Sequence, residues 1–281
     1  MLRKFVRISF FTVLMVLVTT CQNHTSDRPV IITKQEAPSD KTALENLLST
    51  LQCFKNNDCF REAVVGYMIL DYTKGLCKLV SEMNPTMGLV PASIQKLFTT
   101  SAALEIFGNK VNNEVTMTNQ MSINWRANRL MQKIGQEKYG QYNFQTGIKA
   151  VKEYWKNKGI DTTGMVLLDG SGRSHDNVVT PKQIADVLYR MTTSQTFPVF
   201  YNSLPLAGFT GTMHKWLTGT VAEGRLRAKT GSLGGVRSYA GYVSTINSKK
   251  LIFVIIVNNY SCRIKTFKKV IEDVMVSMTE L

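Results

Sequence analysis

Strand patterns lie at both ends of this 281-residue chain, and helical patterns fill the stretch between them. Residues 63–70 and 76–80 have the apolar and β-branched content of strands, and residues 225–229, 236–245 and 250–258 repeat it near the C-terminus. Segments of this kind bury their apolar faces by pairing in a sheet that helices cover. The order predicts an α+β fold with an antiparallel sheet, flanked by the N- and C-terminal helices and adjoined by a helical lobe.

Apolar residues at helical spacing define the helices of this arrangement. The two terminal helices are predicted at residues 41–51 and 264–278, each with an apolar stripe along one side. The helical lobe is predicted at about residues 93–200, with helices at 93–108, 123–134 and 148–158, a short strand at 165–168 and a further helix from Thr180. Thr180 is a typical helix cap, and Pro181 suits the first helical position after it.

The N-terminus has the pattern of an export signal. Three basic residues (Arg3, Lys4 and Arg7) precede an apolar run at residues 8–18, which is too short to span a bilayer comfortably. We therefore predict that residues 1–21 are a signal peptide.

The signal ends in Val-Thr-Thr-Cys, with the cysteine at position 21, and this ending resembles the lipobox of bacterial lipoproteins. The resemblance predicts an exported, periplasmic protein that is anchored to the membrane through lipidated Cys21. Ordinary cleavage to a soluble periplasmic protein is the alternative, because Thr20 is larger than the residue usual before that cysteine. Residues 22–40 are polar and aperiodic and are predicted to be a tether, so that residues 41–281 form a single catalytic domain.

Four further cysteines bear on folding. Cys53 and Cys59 are six positions apart and could form a local disulfide in an oxidising compartment, while Cys77 and Cys262 could simply be buried thiols, so the sequence leaves the pairing open. No cysteine pair has zinc-ligand spacing and the chain has three histidines, so neither a metal site nor a cofactor is expected.

The formal net charge is +14, but the lysines and arginines are scattered along the chain. A nucleic-acid partner is not expected, because no basic arm or basic helix collects these charges. Anionic envelope polymers or lipid head groups are the partners that suit an exported basic protein, and a solvated surface without a partner is the alternative.

Three short motifs carry the chemistry. Each occurs once, in the order Ser93-x-x-Lys96, Ser122-x-Asn124 and Lys229-Thr230-Gly231. The first two lie at predicted helix starts and the third lies at the end of a predicted strand. Any one of them alone would be explained as a helix cap or a surface charge. Their order and structural setting together favour a serine acyl-transfer site, and the same set is found in class A β-lactamases and penicillin-binding proteins.

The chemistry requires these residue types. Residues three apart share a helix face, so the amine of Lys96 can approach the hydroxyl of Ser93. A lysine serves as base only when it is deprotonated, and partial burial together with the nearby charge of Lys229 would favour the neutral amine. The start of the helix supplies free N–H groups for an oxyanion. At the strand end, Lys229 and Thr230 would hold a carboxylate, and Gly231 would allow a substrate backbone to approach.

Five blocks of sequence resemble, in order, those of the S13 peptidase family, the D-alanyl-D-alanine carboxypeptidases/endopeptidases of the penicillin-binding protein 4 type. The blocks are VPASIQKLFTTSAALE, MSINWRANRLMQKIG, LLDGSGRSHDNVVTP, LPLAGFTGTM and RLRAKTGSLGGVRSYAGYV. The resemblance covers about residues 64–258 and implies a β-lactamase/transpeptidase-like fold. It implies peptidoglycan stem peptides as substrates and β-lactams as covalent inhibitors.

The resemblance also implies a role for each motif residue. Ser93 would be the nucleophile, Lys96 its base and Ser122 the relay of the proton to the leaving amine. Asn124 would bind the substrate amide, while Lys229 and Thr230 would bind the terminal carboxylate.

The backbone N–H groups of Ser93 and Ser232 would form the oxyanion hole. Asp169 and Ser171 match the family's Asp-Gly-Ser-Gly block and would shape the site, although Arg173 replaces the leucine usual there.

The chain departs from the family pattern in length. Only 29 residues separate Ser93 from Ser122, where most S13 members insert whole domains. The chain is therefore expected to be a minimal form, the catalytic core alone, and the missing insertion puts substrate selectivity in question.

Two other functions fit the same motifs. A serine β-lactamase of class A needs a glutamate after the Ser-x-Asn motif, and Glu153 is the one acid near that region. A non-catalytic penicillin-binding module that senses the cell wall is the second alternative. Retention of all three motifs favours the enzyme over that module.

Overall fold

The structure, a computed structural model, describes residues 40–281. The predicted signal peptide, the Cys21 lipidation site and nearly all of the predicted tether lie outside the described residues. In the described part, the first helix begins at Asp40.

The sheet of the described residues has five strands and is antiparallel throughout. Its strands are β1 (Val64–Asp71), β2 (Lys78–Met83), β3 (Leu226–Leu233), β4 (Val236–Ser244) and β5 (Lys250–Asn258). They pair in the order β2-β1-β5-β4-β3. The N-terminal hairpin therefore joins the C-terminal strands through β1 and β5, and β3 lies at an edge of the sheet. The predicted α+β fold is confirmed.

Helices cover both faces of this sheet. They are α1 (Asp40–Lys55), α2 (Lys96–Phe107), α3 (Asn112–Gln120), α4 (Asn124–Tyr139), α5 (Phe144–Asn157), α6 (Pro181–Met191), α7 (Phe197–Ser203) and α8 (Ile264–Glu280). The terminal helices α1 and α8 pack on one face, and the other helices form the lobe on the opposite face. No helix of the described residues is long and apolar enough to cross a membrane.

The central strand β5 shows how the sequence builds two cores. Every residue at positions 251–257 is buried, because both faces of the strand are covered. Leu251, Phe253 and Ile255 face the terminal helices. Ile252 and Val254 face the helical lobe. Each fully buried side chain of this kind contributes about 1.5–3 kcal/mol, so this one strand stabilises both cores.

The start of α6 follows the local signals in the sequence. The Thr180 hydroxyl accepts a hydrogen bond from the Gln183 N–H, and the Gln183 side chain accepts one from the Thr180 N–H. Pro181 occupies the first turn. This reciprocal cap stabilises the helix start and fixes the end of the loop that enters the site described below.

The disulfide of the described residues differs from the local pair that the cysteine spacing suits. Cys59 is bonded to Cys262, with 4.8 Å between their Cα atoms and a separation of 203 positions in sequence. Cys53 lies on the exposed side of α1, whereas Cys59 lies in the turn that follows α1, next to the segment that leads into α8. Cys77 is also exposed rather than buried. Because α1 and α8 pack together, the chain ends of the domain meet where the bond forms.

Two local predictions also differ from the structure. Residues 165–168 form no strand, since Val166 makes only an isolated bridge to Val178. The helix predicted from Ser93 begins instead as a 3-10 turn at Ala92–Gln95 and becomes α-helical at Lys96. The tighter turn places Ser93 ahead of the regular helix, at the junction between the lobe and the sheet.

Candidate active site

The turn that carries Ser93 packs tightly against its neighbours. Ala92, immediately before the nucleophile, is a non-glycine residue with a φ of 48°. Gly172 lies against it, and a Cβ atom at Gly172 would be 1.9 Å from the Ala92 carbonyl oxygen. Strained backbone of this kind persists when the surroundings hold it in place. Ser93 itself is partly exposed, so its hydroxyl is accessible from the cleft.

The amine of Lys96 is at the centre of the site. Its Nζ lies 2.8 Å from Ser93 Oγ, 2.7 Å from Asn124 Oδ1 and 2.7 Å from the Ser171 carbonyl oxygen. The Lys96 side chain is completely buried. The structure thus brings together four of the predicted site residues, which come from three separate segments of the chain.

Burial lowers the pKa of Lys96 to about 7, against the opposing effect of the Asp169 carboxylate. A neutral amine has two N–H groups and one lone pair. The two N–H groups match the Asn124 and Ser171 oxygens, which only accept hydrogen bonds. The lone pair is then left for the Ser93 O–H, which is the arrangement that a general base needs.

Asp169 organises the turn at residues 169–172. Its carboxylate accepts hydrogen bonds from the backbone N–H groups of Ser171, Gly172 and Ser174 and from the Asn177 side chain. Burial favours a raised pKa for Asp169, but the bonds from Ser174 and Ser171 prevail and hold its pKa below the usual value. The charged carboxylate therefore keeps the turn in the form that presents the Ser171 carbonyl to Lys96.

Residues that sequence analysis did not single out attach this turn to the lobe. The buried Gln95 side chain donates a hydrogen bond to the Asp169 carbonyl oxygen, and the Thr99 hydroxyl donates one to the Gly170 carbonyl oxygen at 3.0 Å. Asn128 Oδ1 accepts a hydrogen bond from the Gly170 N–H at 3.0 Å. Thr99 lies on α2, Asn128 lies on α4 and Gln95 ends the 3-10 turn before α2, but nothing in their spacing marks them as supports of the site.

Ser122 and Asn124 occupy the turn between α3 and α4. Ser122 has a φ of 54°, in the left-handed region, and Asn124 is the first residue of α4. This geometry directs the Asn124 side chain to Lys96. The Ser122 hydroxyl instead meets Lys229, whose Nζ lies 2.8 Å away.

Lys229 is also completely buried, on β3. Its amine donates hydrogen bonds to Ser122 Oγ and to the Thr230 carbonyl oxygen, the latter at 2.9 Å. Burial, and secondly the charge of Lys96, hold the pKa of Lys229 well below its usual value. The two lysines of the motifs are thus each paired with a serine hydroxyl, Lys96 with Ser93 and Lys229 with Ser122.

The rest of β3 completes the wall of the cleft. The Thr230 hydroxyl donates a hydrogen bond to Thr212 Oγ1 at 2.9 Å, so Thr212 is a site neighbour that sequence analysis left unassigned within the block LPLAGFTGTM. A Cβ atom at Gly231 would be 2.1 Å from Ser238 Oγ and 2.9 Å from the Ser93 nitrogen. Packing within the protein therefore requires glycine at position 231. This requirement adds to the close approach of substrate that was predicted for Gly231.

The oxyanion hole stays a prediction. A Cβ atom at Gly231, the residue before Ser232, would lie 2.9 Å from the Ser93 nitrogen, so the segments that carry the two proposed donors run close together. Ser232 is exposed at the outer end of β3. Among the described residues, no group of three His, Cys, Asp or Glu side chains lies close enough together to hold a metal ion.

Solved structures that share this fold include β-lactamases and a penicillin binding protein 4. A β-lactamase from Chitinophaga pinensis aligns with a TM-score of 0.65 over 83% of this chain and 98% of its own, at 15% identity. A penicillin binding protein 4 (dacB) from Haemophilus influenzae, complexed with a β-lactam, aligns with a TM-score of 0.54 over 59% of this chain and 40% of its own, at 28% identity. The class of protein is therefore β-lactamase/transpeptidase-like.

Within that class, the chain belongs to the D-Ala-D-Ala carboxypeptidase 3 (S13) family, whose model matches residues 110–280. A D-alanyl-D-alanine carboxypeptidase from an Actinomadura species is 38% identical over 149 residues, which are 50% of this chain and 27% of that protein. The D-alanyl-D-alanine carboxypeptidase DacB of Haemophilus influenzae is 35% identical over 42% of this chain and 25% of its own length. The chain spans about a quarter of the length of these relatives.

Proposed function

We propose that this protein is a serine D-Ala-D-Ala carboxypeptidase, an endopeptidase, or both, which acts on peptidoglycan stem peptides through an acyl-enzyme on Ser93. The observation that carries the proposal is the contact of 2.8 Å between the partly exposed Ser93 hydroxyl and the buried amine of Lys96. A neutral lysine held against a serine hydroxyl is the essential element of this chemistry. Membership of the S13 family supports the choice of substrate.

In the proposed mechanism the Ser93 proton passes to the lone pair of Lys96 as Ser93 Oγ bonds to the carbonyl carbon of the penultimate D-alanine. The N–H groups of Ser93 and Ser232 stabilise the oxyanion. Collapse of the tetrahedral intermediate breaks the C–N bond. Ser122, with Lys229 at its side, passes its hydroxyl proton to the departing amine and regains one as Lys96 gives up the proton that it took from Ser93. Water then hydrolyses the ester and restores Ser93. In β-lactams the broken C–N bond lies in the ring, so the leaving group stays attached and the adduct persists.

Mass spectrometry of the intact protein tests acylation. After exposure to benzylpenicillin, the parent protein is expected to gain the mass of one penicilloyl group. Ser93→Ala is expected to gain none, whereas Ser261→Ala, which changes an exposed serine outside the site, is expected to behave as the parent does. An unmodified parent protein would contradict the proposal and favour the non-catalytic cell-wall module.

Digestion of purified peptidoglycan distinguishes the two activities. Release of free D-alanine from pentapeptide stems would establish the carboxypeptidase, and loss of cross-linked dimeric muropeptides would establish the endopeptidase. If a penicillin-binding parent protein released neither product, the proposed physiological turnover would be wrong.

A serine β-lactamase is the second candidate, since this chain aligns with nearly the whole length of a β-lactamase structure. That function needs a carboxylate to activate the deacylating water. Glu153 lies on the surface of α5, where it accepts a hydrogen bond from Lys138 at 2.6 Å and another from Tyr139. These contacts support a structural role for Glu153, so we expect a stable adduct. Rapid turnover of nitrocefin by the purified protein would reverse this preference.

We also propose that the protein is exported to the periplasm and anchored to the membrane through lipidated Cys21. The signal pattern and the lipobox resemblance of residues 1–21 support this proposal. The disulfide between Cys59 and Cys262 supports it independently, because such bonds persist in oxidising compartments. Incorporation of labelled palmitate by the parent but not by Cys21→Ser is the expected result. Equal labelling, or none in either, would contradict the anchor.

A further inference from the structure

Arg237 lies on β4 directly opposite Ser232 of β3. Its Nη1 donates hydrogen bonds to Ser232 Oγ, to the Leu233 carbonyl oxygen at 3.2 Å and to the Val236 carbonyl oxygen at 3.0 Å. The guanidinium carbon lies 5.4 Å from the centre of the Tyr260 ring. The hydrogen bonds and the ring hold one edge of the guanidinium beside the outer end of the Lys-Thr-Gly strand.

The other edge of this guanidinium is uncommitted. Arg237 makes no ion pair with any carboxylate of residues 40–281, and its Nε and Nη2 have no hydrogen-bond partner in that part of the chain. The side chain is partly exposed. A planar, permanently charged group with one free N–H edge suits a carboxylate, which can accept two parallel hydrogen bonds from it.

Two hydroxyl groups stand on the same face of the hairpin. Thr230 and Ser232 are two positions apart on β3, so their side chains point to the same side of the sheet. Arg237 is the cross-strand partner of Ser232 and therefore shares that side. The guanidinium, the Ser232 hydroxyl and the Thr230 hydroxyl form one row along the strand edge.

Lys229 is poorly suited to supply the whole charge for a carboxylate. It is completely buried, and its amine is already bonded to Ser122 Oγ and to the Thr230 carbonyl oxygen. Burial also disfavours the charged form of Lys229. Arg237, in contrast, is permanently charged and has Nε and Nη2 left over for a carboxylate.

We propose that Arg237 binds the terminal carboxylate of the substrate together with the hydroxyls of Thr230 and Ser232. The proposal rests on the proposed function and adds a specificity-determining residue to it. Lys229 then acts mainly on Ser122, and Arg237 selects substrates that end in a free carboxylate.

Acylation by benzylpenicillin and by its uncharged methyl ester tests this role, because the two compounds differ only in the carboxylate. We expect Arg237→Gln to lower the second-order acylation rate constant for benzylpenicillin about tenfold, the loss of one charge-assisted contact. The rate constant for the methyl ester is expected to change by less than about twofold. Arg237→Lys keeps the charge and should retain part of the preference for the acid.

Arg227→Gln is the matched control. Arg227 is a partly buried guanidinium of the same hairpin that lies 5.2 Å from the Tyr201 ring and donates hydrogen bonds to the Asn202 and Leu204 carbonyl oxygens, away from the cleft. We expect Arg227→Gln to lower the acylation rate constants for both compounds by the same factor, or to leave both unchanged. If Arg237→Gln also affects both equally, or leaves the preference intact, Arg237 only supports the β3–β4 turn and the inference is wrong. Failure of the parent protein to be acylated would instead overturn the proposed function, and this inference with it.

Discussion

Lys229 Nζ lies 2.8 Å from Ser122 Oγ, although 107 positions separate the two residues in the chain. The contact joins the edge strand β3 to the turn before α4, and so connects the sheet with the helical lobe. On the other side of the cleft, Lys96 forms the same kind of pair with Ser93. In the proposed mechanism, the pair of Lys96 and Ser93 serves the attack on the substrate, and the pair of Lys229 and Ser122 serves the protonation of the leaving group.

Removal of either partner in the second pair should disable the same step. We expect Ser122→Ala and Lys229→Met each to lower the rate constant of acylation by benzylpenicillin about 10²- to 10³-fold, the size of a lost proton-transfer step. The double variant should be little slower than the worse single variant, because the residues act as a unit. Stopped-flow measurement of the four proteins checks this. Effects that multiply in the double variant would mean that the two residues act independently.

Local signals in the sequence predicted the parts of the fold that are set locally. The cap at Thr180 stabilises its helix through neighbours three residues away. The run at residues 251–257 is apolar at every position because β5 lies at the centre of the sheet. The three motifs also predicted which polar side chains converge, since their chemistry requires contact.

Features that depend on distant packing were not predictable in this way. Cys59 meets Cys262 because α1 and α8 pack together, and sequence spacing favoured the nearer Cys53. Ala92 and Ser122 adopt left-handed backbone that neither residue type favours, so the fold imposes it at the site. A loop contact brings Thr212 to Thr230, and strand pairing places Arg237 opposite Ser232, neither of which a local pattern signals.

The pKa of Lys96, about 7, predicts how acylation depends on pH. Only the neutral amine accepts the Ser93 proton, and the neutral fraction rises as the pH rises through this pKa. The second-order rate constant for benzylpenicillin should therefore increase about tenfold per pH unit well below pH 7 and level off above it. Lys96→Arg keeps the cation at all pH values and should lose nearly all acylation. A profile for the parent protein that is flat between pH 5.5 and about 8.5 would contradict the role of Lys96 as base.

Asp169→Asn tests the turn that supports Lys96. The amide loses the charge that attracts four N–H donors, so we expect unfolding free energy to fall by about 2 kcal/mol or more and acylation to slow. The pH midpoint of acylation should move down, because the Asp169 charge raises the pKa of Lys96. Asp161→Asn is a matched control, since Asp161 accepts a hydrogen bond from the Thr163 N–H in an exposed turn. If Asp169→Asn has the same unfolding free energy and the same pH profile of acylation as the parent protein, this account is wrong.

The disulfide between Cys59 and Cys262 should stabilise the folded domain considerably. It closes a loop of 203 residues, and the entropy of such a loop in the unfolded chain corresponds to as much as about 5 kcal/mol. We expect the double variant Cys59→Ser, Cys262→Ser to have a clearly lower midpoint of thermal unfolding than the parent protein. Cys77→Ser should leave this midpoint nearly unchanged. Peptide mapping without reductant should recover the two linked peptides. A peptide that links Cys53 to Cys59 would show that the pairing is different in the purified protein.

Gly172 offers a direct test of the contact that supports the nucleophile. Gly172 and Gly164 have φ angles of 78° and 70°, so alanine introduces a similar backbone strain of about 1 kcal/mol at either position. The surroundings differ, because a Cβ atom at Gly172 would be 1.9 Å from the Ala92 carbonyl oxygen, whereas Gly164 has nothing within 4 Å. Gly172→Ala is therefore expected to displace the Ser93 turn and to suppress acylation at least about 100-fold, a loss typical of misplaced reacting groups. Gly164→Ala should lower thermal stability slightly and acylate at the parent rate. Equal acylation by both variants would show that the position of Ser93 does not depend on this contact.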